Sequence, residues 1–315
     1  MSKSPCVYIG EALAAYGFGA GHPFGPDRLN AFWQYACKQG MDQRVRLCTP
    51  VAATRDELAR FHTADYIDRV IRQSETGEGY LDGGDTPAVQ GIYDSARVVV
   101  GSVLDAITRS LNGECPRAFV PIAGLHHARR DSAAGFCVFN DCGVAIETLR
   151  SQHGVQRIAY VDIDAHHGDG VFYSFEGDPG LIFADLHEDG HFLYPGTGQE
   201  AESGRGAATG TKLNIPMPPN ADDERFFAAW QRVEDFIDAQ RPEFILLQCG
   251  ADSIAGDPIT DLCYSPAAHR HATQRLLVLA ERHAQGRLLA MGGGGYNRDN
   301  LARAWTAVLE ALIND

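Results

Sequence analysis

The sequence predicts an α/β fold in which one parallel sheet carries helices on both faces. Three observations predict it. Short β-rich runs alternate with longer helical patterns, the signature of βα units. Several of those runs are continuously apolar, as strands buried on both faces should be. Polar motifs follow directly on three of the strands, and ligands of open α/β sheets bind beyond the carboxyl ends of strands.

Along the chain, Val7–Ile9 reads as the first strand, and the glycine- and proline-rich stretch Gly17–Pro26 as a loop leading to a helix over Asp27–Gln39. Val45–Leu47 is the second strand, and Arg55–Arg72 reads as one helix. The loop Gly77–Pro87 precedes a helix over Tyr93–Leu111, the strand Ala118–Val120 and a helix over Cys142–Gln152. Ile158–Val161, Leu181–Ala184 and Leu213–Ile215 are strands, with loops over Asp189–Gly210 and Pro216–Asn220. A helix over Asp223–Ala239, the strand Phe244–Cys249, a helix over Pro266–Ala284, the strand Arg287–Met291 and a helix over Leu301–Ile313 complete the alternation. There is no internal repeat and no low-complexity linker, so the expectation is a single domain over residues 1–315.

Composition narrows the function. The chain is 44% hydrophobic and 22% charged, with a formal net charge of −14 from 41 acids and 27 bases. That balance suits a soluble globular protein and disfavours nucleic acid and anionic membranes as partners. No apolar run approaches the roughly 20 residues that span a bilayer. Eight cysteines are scattered without a CxxC pair, several inside apolar runs where a thiol acts as a small buried hydrophobe. Met1–Gly10 turns polar too quickly for a signal peptide. These features set the expectation of a reducing, cytoplasmic compartment.

Four segments carry chemistry: Gly124–Ala128 (GLHHA), Tyr160–Gly170 (YVDIDAHHGDG), Gly250–Ser253 (GADS) and Gly292–Tyr296 (GGGGY). Asp164 and His166 stand two apart and share one side of an extended segment. Asp252 ends an apolar strand, where an unpaired charge is costly and a cation removes the cost. These three are the candidate metal ligands. Three ligands leave room for water and substrate, as in catalytic zinc sites, while the hard donor set also admits Fe(II). Binuclear manganese ureohydrolases carry further carboxylates where this chain has Gly168 and Ile254, so one metal is expected.

His126 and His127 lie in a bend after a strand and are candidates for the acid–base pair. Asp162 and Asp169 are candidates to fix their tautomers. Tyr296 follows four glycines, whose run permits close backbone approach, and could donate to the oxygen of a tetrahedral intermediate. Phe136, with Phe192, Leu193 and Tyr194, could wall an apolar channel for an extended acyl chain.

Together with Gly21–Arg28 (GHPFGPDR) and Leu58–Ile67 (LARFHTADYI), these motifs resemble the zinc-dependent histone deacetylase superfamily, over nearly the whole chain. The resemblance implies an arginase-like three-layer fold with about eight parallel strands. It places Asp164, His166 and Asp252 on the metal ligands, and His126 and His127 on the tandem histidines. Asp162 and Asp169 fall on their carboxylate partners, Tyr296 on the catalytic tyrosine, and Arg28 on the internal-channel arginine. It also implies potassium near the zinc, on backbone oxygens around Asp162, Asp164, His166 and Leu186, with Asp185 where relatives often use a hydroxyl. A second potassium site would involve Phe175, Asp178 and Leu181.

The second channel wall falls on Leu193, with Phe192 or Tyr194 as alternatives, and the rim acid lies between Glu75 and Asp85. Ile259 stands where polyamine deacetylases carry a glutamate, and Tyr16–Phe24 has no acid, both of which lean toward acyl-lysine. The expected function is therefore removal of an acyl group, acetyl first, from acyl-lysine of a peptide or protein. An acylated polyamine or other small amine is the alternative, and a non-catalytic acyl-binding scaffold a third reading.

Overall fold

In a computed structural model, residues 4–19 and 21–314 are described; Met1–Lys3 of the segment read as lacking a leader lie outside the described residues. The strands are β1 (Cys6–Tyr8), β2 (Arg46–Cys48), β3 (Arg117–Val120), β4 (Ile158–Asp162), β5 (Leu181–Glu188), β6 (Lys212–Met217), β7 (Phe244–Gln248) and β8 (Leu288–Met291). They form one sheet in the order β2-β1-β3-β8-β7-β4-β5-β6, and every pairing is parallel. The helices are α1 (Glu11–Ala14), α2 (Arg28–Lys38), α3 (Arg55–Leu58), α4 (Ala64–Thr76), α5 (Ile92–Leu111), α6 (Asp141–Ser151), α7 (Asp169–Ser174), α8 (Asp223–Gln240), α9 (Pro266–His283) and α10 (Arg298–Asn314).

Parallel crossovers are right-handed, so the direction of travel across the sheet decides which face a helix covers. The chain moves one way from β2 to β3 and from β3 to β4, placing α4, α5 and α6 in one layer. It moves the other way from β1 to β2, β6 to β7 and β7 to β8, placing α2, α8 and α9 in the opposite layer, where α10 joins α2 and α9. Both faces are thus covered, which explains the fully buried strands β3, β4, β7 and β8. Trp305 of α10 pins two strand ends by donating its indole N–H to Cys249 O and Gly292 O.

Three elements differ from expectation. The helix expected over Arg55–Arg72 is two helices. Thr54 and Glu57 form a capping box at α3, and Thr63 restarts the chain as the cap of α4. The Thr63 N–H meanwhile leaves the helix and donates to Arg130 O at 2.8 Å. β5 continues past Ala184 because Asp185 and His187 pair inside the protein at 2.8 Å, which lets polar residues extend a buried strand. α10 begins at Arg298 because Asn297 Oδ1 accepts from Asp299 N and Asn300 N. The cysteines also depart from the reading as unpaired buried thiols. Cys6 and Cys115 are joined in a disulfide with Cα atoms 5.9 Å apart, while Cys37, Cys48, Cys137, Cys142, Cys249 and Cys263 are free. Among the described residues no helix is long and apolar enough to cross a membrane.

Candidate active site

The site lies beyond the carboxyl ends of β3, β8, β7 and β4, four neighbours at the centre of the sheet. Their last residues are in register: Val120 pairs Met291, Met291 pairs Gln248, and Gln248 pairs Asp162. Each strand therefore releases its loop at the same height, and the four motifs meet.

The ligand atoms of Asp164, His166 and Asp252 lie within 4.8 Å of one another, and all three residues are buried. His166 Nδ1 is 3.1 Å from Asp164 Oδ1 and 3.2 Å from Asp252 Oδ2. Burial and the neighbouring Asp164 push Asp252 up to about 7. Burial works to lower His166, but its bonds to the two aspartates raise it to about 10. Two carboxylates facing one imidazole in a buried site fit a divalent cation: they offer hard oxygen donors and one nitrogen, and the cation would take the place of the His166 proton.

The ligands are themselves held. Asp164 Oδ2 accepts from Gln248 Nε2 at 2.7 Å and Gly294 N at 2.9 Å, and Asp252 Oδ1 accepts from Ala165 N at 2.9 Å. Outer partners of this kind set the orientation of a ligand. Gly294 is required by closeness: a Cβ there would stand 2.0 Å from Asp252 Oδ2 and 3.0 Å from Asp164 Oδ2.

His126 Nδ1 lies 2.7 Å from Asp162 Oδ2, and His127 Nδ1 lies 2.7 Å from Asp169 Oδ1. Both rings therefore direct Nε2 away from their carboxylates, and the two Nε2 atoms are 3.1 Å apart. Their proton affinities oppose each other. Burial works to lower His126, but the charges of Asp162 and Asp164 outweigh it and raise it to about 10. Burial, then the charge on His126, pulls His127 down to about 4. The bend is clamped by the segment after Phe136. Asp141 accepts from Gly124 N and Leu125 N, and Asn140 Nδ2 donates to His126 O and Ala128 O.

These groups line a cavity of about 250 Å³ walled by Phe24, Phe136, Leu193, Tyr194, Ile259 and Tyr296. Phe136 holds a left-handed backbone (φ 67°) that few side chains adopt. Tyr16 fixes it by donating to Phe136 O at 2.7 Å, and Thr86 Oγ1 accepts its N–H at 3.1 Å. Both Leu193 and Tyr194 reach the cavity, whereas Phe192 is 68% exposed. Tyr296 sits with its N–H on Asp257 Oδ2 at 2.8 Å, and burial keeps its phenol protonated, well above the ordinary range.

Arg28, expected at an internal channel, is not among the walls of this cavity. It is fully buried, and its guanidinium donates to Gly293 O at 2.6 Å and Gly295 O at 3.0 Å, with Cζ 4.0 Å from the centre of the Phe24 ring. It braces the loop that carries Tyr296, because those carbonyls take its donors. Four residues at the site were not singled out from the sequence. Gln248 read as part of an apolar strand, and neither Asp141 nor Asp257 was given a role. Asp85, which lines the mouth, lay in a segment of undetermined register. The signal that could have found Asp141 is its place at the end of GFCVFND, five residues after Phe136.

A histone deacetylase domain matches residues 22–312. The acetoin utilization protein AcuC of Bacillus subtilis is 34% identical over 98% of this chain and 81% of its own length. The histone deacetylase clr6 of Schizosaccharomyces pombe is 31% identical over 96% of this chain and 75% of its own. The crystal structure of the HDA15 HD domain superposes with a TM-score of 0.89 at 28% identity, over 99% of this chain and 89% of that one. The domain match spans nearly the whole sequence and the solved relative shares its architecture: the chain belongs to the histone deacetylase family.

Proposed function

We propose that the protein is a zinc-dependent amidohydrolase that removes an acyl group, acetyl first, from acyl-lysine in a peptide or protein. One observation carries the reading: two imidazoles of opposed proton affinity, each aligned by its own carboxylate, stand beside the Asp164–His166–Asp252 cluster at an apolar-walled cavity. Membership of the family supports the same chemistry. A divalent cation on those three residues, zinc or Fe(II), would supply Lewis acidity toward a carbonyl oxygen and lower the pKa of water.

The chain's own groups do the rest. His127, neutral and with Nδ1–H donated to Asp169, offers Nε2 as general base and returns the proton to the departing amine. His126, positively charged and held by Asp162, stabilises the negative charge that develops and shares the proton traffic. Tyr296 donates its O–H to the carbonyl oxygen as it becomes an oxyanion. Phe136, Leu193 and Tyr194 exclude water around an aliphatic chain, and Ile259 meets it at the mouth. Asp85 at the rim accepts a backbone N–H of a peptide substrate.

Potassium beside Asp162, Asp164, His166, Asp185 and Leu186 belongs to the same proposal. Its support is the pairing of Asp162 with Asp185 across β4 and β5, both fully buried, which gathers hard oxygen atoms at one place. The acidic net charge of −14 supports no nucleic-acid or anionic-membrane partner; a cytoplasmic compartment is proposed from the six free cysteines, and the Cys6–Cys115 disulfide counts against it.

A small acylated amine is the second reading, favoured by Asp82 and Asp85 at the mouth, which would attract a cationic amine. The test measures kcat/KM of zinc-loaded protein on an acetyl-lysine peptide and on N-acetylputrescine. A peptide preference is expected; a clear preference for the polyamine overturns the lysine reading.

A further inference from the structure

One buried cation takes no part in the site described above. Lys212 opens β6 and is only 3% exposed. Its Nζ donates to Asp178 O at 2.9 Å, Leu181 O at 2.7 Å and Thr211 Oγ1 at 2.8 Å. An ammonium has three donors, and here three oxygens meet them. None of the three is a carboxylate oxygen. The Asp178 carboxylate is engaged elsewhere, by Arg150 and by Gly180 N.

A buried charge without an opposite charge in contact is tolerated only where polar atoms replace its lost hydration. Neutral carbonyl and hydroxyl oxygens do this for a monovalent ion, as carbonyl rings do for potassium in a channel filter. Burial, reinforced by Arg150, pulls Lys212 down to about 7, and the charge of Glu176 opposes that pull; only the ammonium form can satisfy all three oxygens.

The second potassium site implied by resemblance would use the turn Phe175, Asp178 and Leu181. The residues present do not fit a free ion there. Two of the three carbonyls are taken by Nζ, and the third, Phe175 O, accepts from Asp178 N at 3.0 Å. We infer that Lys212 is a built-in monovalent cation: its ammonium occupies the oxygen cage of Asp178, Leu181 and Thr211 and excludes potassium from it. The tether fixes the entry to β5, the strand that carries Asp185 and His187. The inference shares no residue with the catalytic reading and does not depend on it.

Two measurements test it. Crystals of the wild-type protein grown with thallium(I) as a potassium mimic should show no anomalous peak among Asp178 O, Leu181 O and Thr211 Oγ1. A peak there, with the lysine displaced, overturns the inference. Lys212→Ala should open the cage. Its melting temperature in choline chloride should fall by about 4 °C or more below wild type, and most of the loss should return in equimolar KCl. Wild type under the same exchange should gain less than the variant does. A variant that melts with wild type in choline, or gains nothing extra from potassium, overturns the inference. If the variant does not fold, the wild-type diffraction experiment decides alone.

Discussion

Replacing Tyr296 by phenylalanine removes one atom from the site and leaves its frame in place. The ring still packs edge-on against Phe24 at 6.5 Å and Phe136 at 5.8 Å, and the peptide N–H still donates to Asp257. Among the described residues the hydroxyl has no hydrogen-bond partner in the resting site, so its loss should leave the melting temperature and metal content unchanged. What disappears is a donor aimed at the carbonyl oxygen. One such donor contributes about 2.7–4 kcal/mol to transition-state stabilisation, which is a loss of about 10²–10³ in kcat. The assay is steady-state deacetylation of an acetyl-lysine peptide, with bound metal quantified on the same sample. The KM should change little, because the hydroxyl acts on charge that is absent from the ground state. A variant with metal intact and kcat within about threefold of wild type would refute the oxyanion role.

Three further outcomes follow from the geometry. Gly294→Ala places a methyl group against both aspartates, and metal affinity, measured by competition with a chromophoric chelator, should drop by at least about 10-fold; unchanged affinity would mean the loop yields freely. Burial, with the hydrogen bond shared with Asp82, raises Asp85 to about 6, so its carboxylate is ionised above that pH and lost below it. The KM for a peptide should therefore rise about 10-fold or more as pH falls through about 6, Asp85→Asn should be high and flat, and a small uncharged acylamide should show neither effect. Protein denatured without reductant should titrate six thiols per chain, and eight after reduction; eight in the first measurement would mean Cys6 and Cys115 are unpaired and would favour a reducing compartment.

The ligand triad was legible because its chemistry is unusual for its place: Asp252 follows closely on an apolar strand, and the spacing of Asp164 and His166 fixes their common side. The sheet was legible because β4 and β7 are continuously apolar, which only burial on both faces explains. Gln248 was hidden by the same rule, since a lone amide within Phe-Ile-Leu-Leu-Gln-Cys looks like a tolerated core residue until Asp164 is seen 2.7 Å away. How Arg28 is held was not legible, because the two glycine-loop carbonyls that take its donors lie 265 and 267 residues away in the chain. The break at Thr63 rests on a contact with Arg130, 67 residues later in the chain (130 − 63), which no local pattern contains. The pairing of Cys6 with Cys115 is equally non-local, at a separation of 109.

The position of β8 has a consequence for how the molecule comes into being. The last strand of the chain, Leu288–Met291, is inserted between β3 and β7 at the middle of the sheet. A nascent chain that has not yet released this strand has two unpaired edges facing each other across a gap, each a template for wrong pairing. It also lacks Tyr296 and the Gly294 contact to Asp164. Maturation of the centre therefore waits on the final segment to be synthesised: the ligands that follow β4 and β7 exist early, but the slot that aligns them closes last.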